Sequence, residues 1–493
     1  MMLLQPLVNK VFAVTAGALA TLAFAPFSYP LLALISIVAL YLLTLKPNAT
    51  FLMGWLYGLG YFTAGVSWVY VSIHSHGGMG TLPAALMTLA FTAALATLFG
   101  AQIWLYKRLF SGGSAPGFVA LWVLFEWVRS WLFTGFPWLL IGYAFIDTPL
   151  ISFAPIGGVW LVSAMVLTIA VGAACVIQSR KPTPLLLILT ILGASYLIPS
   201  EWTDNSDNKV SITLIQPNLT QESKWQIEQV DQHIQNIINL SVQAPATDLL
   251  IWPETAIPKL IGRAINQLSP LTGILNQQGT TLISGFPRKE WSDSQQRFLY
   301  HNSVGTLTGN FSQYDKQRLV PFGEYIPFES QLRGLISFFD LPMSSFSLPE
   351  KVTNQVETPH GSLAGAICYE IAYPELVREN ARQSGMILTL SNDTWFGGSH
   401  GPDQHFEIAR MRAIENGKPV IRATNNGISG FIDANGQILA TAPRFETAIL
   451  TYEVSPSIGQ TPYQTFGLWP ALILAALLFL MALFRDRSFK QNR

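Results

Sequence analysis

The stretch Gly361-Ser-Leu-Ala-Gly-Ala-Ile-Cys-Tyr-Glu370 is apolar over the length of a strand and then ends in a cysteine and an acidic residue. A thiol in that position is held rigidly from behind and is open in front, which suits a nucleophile. The chain has only two cysteines, and the other one, Cys175, lies in a long apolar run. A lone buried cysteine is more often a small hydrophobe. Cys368 is therefore a candidate nucleophile only if other residues supply a base and a cation.

The region around this stretch alternates between strand-length apolar runs and helix-like segments. Such alternation predicts an α/β layered domain. Within it, Asp433-Ala-Asn-Gly436 predicts a hairpin turn between two strands. The predicted strands are residues 210–216, 248–252, 281–285, 302–307, 363–368, 386–391, 420–424 and 430–432. The predicted helices are residues 224–240, 374–383 and 403–416.

The composition places part of the chain in a membrane. Half of the residues are hydrophobic and only 12% are charged, whereas a soluble domain has about 25% charged residues. In residues 1–200 the only acidic residues are Glu126 and Asp147. We therefore predict a seven-helix transmembrane domain over residues 1–200, a polar domain over 201–460, and a last transmembrane helix with a cytoplasmic tail over 461–493. The formal net charge of zero gives no support to a nucleic-acid partner.

Eight apolar segments approach the length of about 20 residues that a spanning helix needs. The first could be a signal peptide, but it lacks an evident cleavage site and more apolar segments follow at once, so we expect an uncleaved helix. The segments are residues 9–26, 30–45, 51–72, 82–106, 116–133, 157–178, 183–199 and 466–484.

The positive charges between these segments predict the orientation. With the N-terminus inside, the loops near residues 27–29, 73–81 and 134–156 face outward and carry no Lys or Arg. The polar domain then lies outside the cytoplasmic membrane, where a free thiol needs a functional reason. The cations on the inner side are Lys10, Lys46, Lys107, Arg108, Arg180, Lys181, Arg485, Arg487, Lys490 and Arg493.

Two charges fall in or near the fifth apolar segment. Glu126 and Arg129 are three residues apart and can share a helix face. Intramembrane charges are often functional, although an ion pair that braces the helix bundle is an equal alternative. In the loop that follows, Trp138 suits the lipid headgroup zone, either at a lipid entrance or as an interfacial anchor.

Two further segments carry groups that could activate a thiol. Glu254 follows an apolar strand and lies between two prolines, so its carboxylate is held in a rigid turn and can act as a general base. Lys316 can stabilise an oxyanion and lower the pKa of a thiol. Glu324, eight residues further on, could hold that ammonium group or contact the substrate. Taken alone, Glu254 could be a helix cap or a surface acid, and Lys316 a solvated charge.

The residues after Cys368 complete the candidate site. Glu370 lies two residues on and faces the same side of an extended chain. The N–H group of Tyr369 could contribute to an oxyanion hole. The histidines are scattered, which does not support a Cys-His protease. The sequence also lacks metal-ligand spacing, a phosphate loop and a serine nucleophile elbow.

The contexts Trp-Pro-Glu-Thr, Tyr-Asp-Lys and Ile-Cys-Tyr-Glu, in that order, resemble the carbon–nitrogen hydrolase (nitrilase) superfamily. The wider pattern resembles its membrane-bound branch, the apolipoprotein N-acyltransferases, over nearly the whole chain. The segments that carry this resemblance are Gly135-Phe-Pro-Trp138, Val320-Pro-Phe-Gly-Glu-Tyr-Ile-Pro327, Cys368-Tyr-Glu370, Ser391-Asn-Asp-Thr-Trp-Phe-Gly397 and Arg422-Ala-Thr-Asn-Asn-Gly427.

The resemblance implies a multi-pass protein of the inner membrane of a Gram-negative-type bacterium, with an αββα sandwich in the periplasm and no cofactor or metal. By this resemblance Glu254 is the base, Cys368 the nucleophile and Lys316 the oxyanion stabiliser. The acyl donor is the sn-1 ester of a phospholipid, typically phosphatidylethanolamine. The acceptor is the α-amine of a diacylglyceryl-cysteine at the start of an apolipoprotein, and transfer through a thioester is the last step of lipoprotein maturation.

The resemblance also implies supporting roles for other residues. Glu324, Tyr369 and Glu370 are implied as supporting active-site residues, and Trp225 as a substrate-contacting aromatic. Trp395 and Phe396 are either apolar covers that keep water from the thioester or packing residues under a loop.

Two other functions compete with this interpretation. A membrane-tethered amidase would use the same triad but would need only one anchoring helix. A transporter or receptor would need substrate sites in the middle of the membrane and leaves the contexts of Glu254, Lys316 and Cys368 unexplained.

Overall fold

The computed structural model describes residues 5–47, 49–110, 113–179, 182–326 and 346–491. Pro327 of the quoted motif and the predicted inner-side cations Arg180, Lys181 and Arg493 lie outside these ranges. The chain forms two compact units. One comprises Met1–Tyr70, Gly80–Ser200 and Thr465–Arg493, and the other comprises Val71–Met79 and Glu201–Gln464.

The first unit is helical, and its helices pack closely where glycines remove side chains from the contact. A Cβ atom on Gly17 would lie 2.0 Å from the Tyr57 carbonyl oxygen, and one on Gly60 would lie 2.0 Å from the Val14 carbonyl oxygen. Small residues allow such close backbone approach between apolar helices. The helices are α1 (Gln5–Ala20), α2 (Pro30–Thr44), α3 (Phe51–Gly65), α4 (Trp68–Val71), α5 (Thr81–Leu109), α6 (Ala115–Arg129), α7 (Ala154–Ser179) and α8 (Thr183–Leu197).

Each apolar segment predicted from the sequence contains a helix, the last one lying near the C-terminus at Trp469–Gln491. Among the described residues, two helices are long and apolar enough to cross a membrane, Thr81–Leu109 and Pro149–Gln178. The eight-span prediction is thus supported by length and composition for two helices. The shorter apolar helices are Leu7–Ala23, Pro30–Thr44, Thr183–Leu197 and Trp469–Arg485.

The charged pair in α6 holds the loop that follows it. Arg129 donates from Nη1 to the Trp138 carbonyl oxygen (2.7 Å) and from Nη2 to that of Leu139 (3.2 Å). Glu126 accepts from the N–H of Ile141 at 2.8 Å. Both side chains therefore tie residues 138–141 to α6. These contacts favour the bracing interpretation over a role in substrate binding.

The second unit is built on two six-stranded sheets. In the first sheet the strand order is β13-β2-β3-β4-β5-β6, with β2, β3 and β4 parallel. In the second it is β12-β11-β10-β9-β8-β7, with β8, β9 and β10 parallel. Two short strands, β1 and β14, pair separately. In chain order the strands are β1 (Asp204–Asn205), β2 (Val210–Gln216), β3 (Leu249–Ile251), β4 (Thr281–Ser292), β5 (Arg297–Thr306), β6 (Gln313–Asp315), β7 (Gln355–Thr358), β8 (Gly361–Ile367), β9 (Met386–Ser391), β10 (Val420–Thr424), β11 (Gly430–Ile432), β12 (Ile438–Thr441), β13 (Ala448–Val454) and β14 (Ser457–Ile458).

The two sheets pack face to face, and helices cover their outer faces. Leu214 and Ile251 of the first sheet share one buried cluster with Leu363 and Leu388 of the second. Helices α10 and α11 form a second cluster against the first sheet, while α12 and α13 contact β8 and β10. The helices of this unit are α9 (Gln221–Lys224), α10 (Ile227–Gln243), α11 (Ile265–Gln278), α12 (Pro374–Ala381), α13 (Gly401–Asn416) and α14 (Pro462–Phe466), and the C-terminal helix is α15 (Trp469–Gln491).

This helix–sheet–sheet–helix order is the layered α/β arrangement expected from the sequence. All eight predicted strands and all three predicted helices are present, with ends shifted by a few residues and with β4 and β5 longer than predicted. The hairpin turn at Asp433-Ala-Asn-Gly436 joins β11 to β12 and has Gly436 at φ +79°. The sequence interpretation missed α11 and several edge strands, which bury only part of their surface.

Truncation of the core between the sheets should destabilise the second unit. Leu388 is 1% exposed in that core, so Leu388→Ala should lower the free energy of unfolding by about 2–5 kcal/mol. The matched control is Ile438→Ala at a half-exposed position of the same sheet, which should change it by less than about 0.5 kcal/mol. The midpoint of denaturant unfolding in detergent, followed by tryptophan fluorescence, measures both variants. Equal midpoints for the two variants would contradict the assigned core.

Candidate active site

Four functional groups lie directly after strands, at one edge of the sandwich. Glu254 follows β3 and Lys316 follows β6 in the first sheet, whereas Cys368 follows β8 and Asn392 follows β9 in the second. Buried strands end here in short turns, so each side chain has a rigid support. The site therefore draws its groups from both sheets.

The Glu254 carboxylate is buried, with 5% of the residue exposed. Its Oε1 accepts from Asn302 Nδ2 at 2.8 Å, and its Oε2 accepts from the N–H of Asn392 at 2.8 Å. The turn that carries it is tight, because Thr255 has φ +48° and a Cβ atom on Gly285 would lie 2.5 Å from the Thr255 nitrogen. Two hydrogen bonds thus set the orientation of the carboxylate. One comes from Asn302 in β5 of the first sheet, and the other from Asn392, which follows β9 of the second sheet.

The Lys316 ammonium group lies between two carboxylates. Its Nζ is 2.8 Å from Glu324 Oε1 and 3.7 Å from Glu254 Oε1, and the residue is 1% exposed. Burial alone would lower the pKa of Lys316, but the carboxylates of Glu324 and Glu254 raise it above its ordinary value. Glu324 is itself held, because its Oε2 accepts from the N–H of Val320 at 2.9 Å. Lys316 is consequently a permanent cation at neutral pH.

Cys368 lies at the start of a 3₁₀ turn with a strained backbone. Its φ is +54°, a left-handed conformation that is costly for a residue with a side chain. Burial and the Glu254 carboxylate together raise the pKa of the Cys368 thiol to about 12, against the lowering effect of the Lys316 ammonium. The side chain is partly exposed. The thiol is therefore protonated at rest, and it could act as a nucleophile only with the help of a base.

Glu370 connects the turn of Cys368 to the segment that follows Lys316. The carboxylate is fully buried, and burial raises its pKa to about 7 against the lowering effect of Lys316 and its hydrogen-bond donors. Its hydrogen bonds are to backbone N–H groups and one phenol, so Glu370 ties the backbone before Cys368 to the backbone after Lys316. The donors to its oxygens are the N–H groups of Gln317 (2.6 Å), Arg318 (2.9 Å) and Ile367 (2.7 Å) and the hydroxyl of Tyr314 (2.8 Å).

A buried polar network supports Cys368 from behind. Arg422 Nη2 lies 2.8 Å from Asp393 Oδ2 and 3.0 Å from His405 Nδ1. Burial and the Arg422 charge lower the pKa of His405, so the ring is neutral and donates from Nε2 to the Cys368 carbonyl oxygen at 3.1 Å. Burial would raise the pKa of Asp393, but the Arg422 guanidinium holds it below its usual range. This network fixes the strained backbone at Cys368.

The predicted aromatic residues of this unit have different environments. Tyr369 is partly exposed, and its ring meets that of Tyr373 edge-on at 5.2 Å. Trp225 is partly exposed and follows α9 directly. Trp395 is also partly exposed, and its ring meets that of His76 at 5.8 Å. Each of these rings keeps some surface that a ligand could contact.

Phe396 and Trp138 are buried packing residues. Phe396 is 7% exposed, and its ring packs at 5.9 Å against His405, behind the nucleophile. Trp138 belongs to the helical unit, is fully buried, and packs against Trp68 at 5.2 Å. The expectation that Trp138 faces the headgroup zone is not met, because no part of its side chain reaches the surface.

The sequence interpretation missed three residues that touch the triad. Asn302 bonds to both Glu254 and Glu324, and its only signal is a polar residue in an apolar strand. His405 was one of several scattered histidines. Lys224, which is 1% exposed, donates from Nζ to the Glu254 carbonyl oxygen at 3.0 Å. Within the described ranges, no group of three or more His, Cys, Asp or Glu side chains could hold a metal ion.

Comparison with known families gives two matches along the chain. The apolipoprotein N-acyltransferase N-terminal domain matches residues 16–172, and the carbon–nitrogen hydrolase domain matches residues 211–463. Curated relatives called apolipoprotein N-acyltransferase include that of Pseudomonas aeruginosa (strain LESB58), which is 41% identical over 98% of this chain and 97% of its own. That of Vibrio vulnificus (strain CMCP6) is 41% identical over 98% of each chain.

The similarity to solved structures is weaker. Saccharomyces cerevisiae Nit3, a member of branch 10 of the nitrilase superfamily, is 19% identical and covers 51% of this chain and 93% of its own. The TM-score is 0.38.

The raised pKa of Cys368 predicts a steep pH dependence of its alkylation. With a thiol pKa of about 12, the thiolate fraction and the rate of reaction with iodoacetamide should rise about tenfold per pH unit over the neutral to mildly alkaline range. Lys316→Met should slow the reaction at each pH, because the ammonium group lowers the thiol pKa. Intact mass spectrometry in a Cys175→Ala background reports the rate at Cys368 alone. A rate that is already constant near neutral pH would contradict the assignment of a protonated thiol.

Proposed function

Because the chain belongs to the apolipoprotein N-acyltransferases, we propose that Cys368, Glu254 and Lys316 are the triad through which this enzyme transfers a fatty acyl chain to lipoproteins. One observation carries the assignment. The Cys368 thiol lies at a strand end near a buried Glu254–Lys316–Glu324 cluster, and the charges of Glu254 and Lys316 shift its pKa in opposite directions. Such a cluster can move a proton and stabilise an oxyanion without solvent.

In the first half-reaction Glu254 takes the proton from Cys368 Sγ while the thiolate attacks the sn-1 ester carbonyl of a phospholipid, with phosphatidylethanolamine as the proposed donor. The carbonyl electrons move to the oxygen. The ammonium group of Lys316 and the N–H of Tyr369 stabilise this oxyanion, an effect worth about 3 kcal/mol for each donor. The C–O bond then breaks, Glu254 returns its proton to the leaving alkoxide, and a lysophospholipid departs. The acyl chain remains on Sγ as a thioester.

In the second half-reaction the α-amine of the diacylglyceryl-cysteine of an apolipoprotein attacks the thioester carbonyl. Glu254 accepts a proton from the attacking nitrogen, and the same donors stabilise the second oxyanion. The C–S bond breaks, the sulfur takes the proton from Glu254, and the product is an amide on a triacylated lipoprotein. This ping-pong sequence divides one difficult transfer into two easier ones.

The charges of the site suit this proton traffic. A thiol with a pKa of about 12 is not oxidised or alkylated readily at rest, so activation waits for the substrate. Lys316 keeps its charge throughout, because Glu324 stays paired with it at 2.8 Å when Glu254 becomes protonated. Glu324 therefore holds the cation, and Glu370 holds the backbone of Ile367, next to Cys368, and of the residues after Lys316. Tyr369 supplies the N–H next to the nucleophile.

The thioester must also be protected from water while it waits for the amine. Trp225 and Trp395 are the partly exposed aromatic residues that we assign to contact with acyl chain or acceptor. Phe396 acts indirectly, because its ring packs against His405, which bonds to the Cys368 carbonyl oxygen. Trp138 acts within the helical unit, as a packing residue whose carbonyl oxygen anchors Arg129.

We propose further that the helical part forms the membrane domain. Residues 1–200 would supply seven spans and residues 461–493 the eighth span and a cytoplasmic tail, with the catalytic domain at 201–460. The absence of Lys and Arg from the sequence of the outer loops supports an N-terminus inside and a catalytic domain in the periplasm. The protein would then lie in the inner membrane beside its phospholipid donor. A soluble-substrate amidase is disfavoured, since the match over residues 16–172 is to the N-terminal domain of an acyltransferase.

The covalent mechanism predicts an acyl-enzyme. After incubation of the purified protein with phosphatidylethanolamine, intact mass spectrometry should find one fatty-acyl increment that hydroxylamine removes. Cys368→Ala should show no increment and no transfer to a diacylglyceryl lipopeptide, with its fold and detergent extraction unchanged. Cys175→Ala is the matched control and should load like wild type, because Cys175 lies in α7 of the helical unit. Lysophospholipid release by wild type without any increment would exclude the thioester.

The proposed role of Lys316 predicts a defect in chemistry and not in lipid binding. Lys316→Met should slow thioester formation about 100- to 1,000-fold at saturating phospholipid, since it removes an oxyanion donor. The phospholipid concentration that gives half the maximal rate should stay close to that of wild type. Lys259→Met, which removes a surface pair with Asp231 (2.6 Å), is the control for the loss of a lysine. Unchanged loading kinetics in Lys316→Met would remove this residue from the site.

A further inference from the structure

The single-turn helix α9 touches the proposed general base along two routes. At its end, Lys224 donates from Nζ to the main-chain carbonyl oxygen of Glu254 at 3.0 Å. At its start, Gln221 accepts from Asn392 Nδ2 at 2.8 Å. The N–H of the same Asn392 donates to Glu254 Oε2 at 2.8 Å. Helix α9 therefore holds the backbone of Glu254 directly and holds its carboxylate through Asn392.

The charges around the triad leave a place for a second cation. Glu254 and Glu324 are both buried, and among the described residues Lys316 is the one cation paired with both, at 3.7 Å and 2.8 Å. Two carboxylates and one ammonium would leave one negative charge without compensation in a region of low dielectric, which is costly. Lys224 is itself 1% exposed and adds a second positive charge that interacts with Glu254. Deprotonation of Cys368 occurs in the same field, so a second positive charge also favours the thiolate.

From these contacts we propose that Lys224 is a positioning residue for acyl transfer. Its ammonium group holds the turn of Glu254 in the geometry needed for proton transfer, and its charge balances the cluster of Glu254, Glu324 and Lys316. This inference rests on the proposed triad and adds a fourth charged group to it. Lys224 touches the base and not the acyl chain, so it acts through Glu254.

The charge of Lys224 depends on pH in the mildly alkaline range. Burial lowers its pKa to about 8, although Glu254 and Cys368 act in the opposite direction. The other titratable groups nearby are Glu222 on α9, which lies 3.3 Å from His76, and His233 on α10, whose Nε2 is 3.0 Å from the Ser223 carbonyl oxygen. The ammonium is present below this pKa and is lost as the pH rises through it. The stabilisation of the thiolate by Lys224 is lost in the same direction.

The chain offers a matched control for this test. Lys418 is 3% exposed, burial lowers its pKa to about 8 as well, and its Nζ contacts the Ser384 carbonyl oxygen. Lys418 precedes β10 and Ser384 precedes β9, whereas Asn392 follows β9. Lys418 and Ser384 therefore lie at the end of these strands that is far from the triad. Lys418→Met therefore removes an equally buried lysine without touching the triad.

The experiment measures single-turnover loading of Cys368 by intact mass spectrometry, with full-length protein and phosphatidylethanolamine, as a function of pH and lipid concentration. Lys224→Met should lower the maximal loading rate about 10- to 100-fold without changing the lipid concentration for half-maximal rate. Lys224→Arg, which keeps a charge at every pH, should recover part of the rate. The loading rate of Lys224→Arg should begin to fall at a higher pH than that of wild type, which should fall near pH 8. Lys418→Met should load at the wild-type rate.

Each outcome bears on one proposal. Loading by Lys224→Met at the wild-type rate and with the wild-type pH profile would overturn the role of Lys224 and leave the triad intact. Equal losses in Lys224→Met and Lys418→Met would also overturn it, since the effect would then be one of stability. If wild type forms no acyl-enzyme, the proposed function fails instead. Should Lys224→Met not fold, Lys224→Arg decides, because an alkaline decline identical to wild type would contradict the proposal.

Discussion

The Lys316 ammonium group is buried between the carboxylates of Glu254 and Glu324, and the rest of the site depends on this contact. A single charge moved from water into the interior of a sandwich is very costly, and a pair is tolerated only with good geometry and further hydrogen bonds. Asn302 supplies such bonds to both carboxylates, and the N–H of Asn392 supplies one more. Removal of any member would leave a buried group without its partner. The cluster therefore holds the ends of both sheets in one arrangement.

The backbone of Cys368, the proposed nucleophile, is strained, and the surrounding hydrogen bonds hold it in place. Cys368 has φ +54° at the point where a buried strand gives way to a turn. Glu370 bonds to the backbone on both sides of the site, and His405 donates to the Cys368 carbonyl oxygen. A residue keeps such an unfavourable φ only where the surrounding contacts outweigh its conformational cost. The result is a thiol held in the electrostatic field of Glu254 and Lys316.

The sequence predicted the structure best where burial produces a local residue pattern. Central strands are buried on both faces, so they are apolar runs bounded by turn residues, and all of them were predictable. Edge strands bury one face or less, and α11 has a proline inside it, so neither has a clean pattern. The same division holds for the site. Glu254, Lys316 and Cys368 lie in distinctive local contexts, whereas the partners of Lys224 and His405 are 30 and 37 residues away along the chain.

The sequence by itself determined the two-part organisation, the strand–helix alternation and the three contexts that define the family, because composition and short motifs are local properties. Only the tertiary structure decided which side chains share one cluster, since Glu254 and Lys316 come from one sheet and Cys368 from the other. It also decided that Trp138 is buried and that Lys224 reaches Glu254. The physical reason is that pKa values, charge balance and burial depend on neighbours in space, and those neighbours exist only after the two sheets have packed.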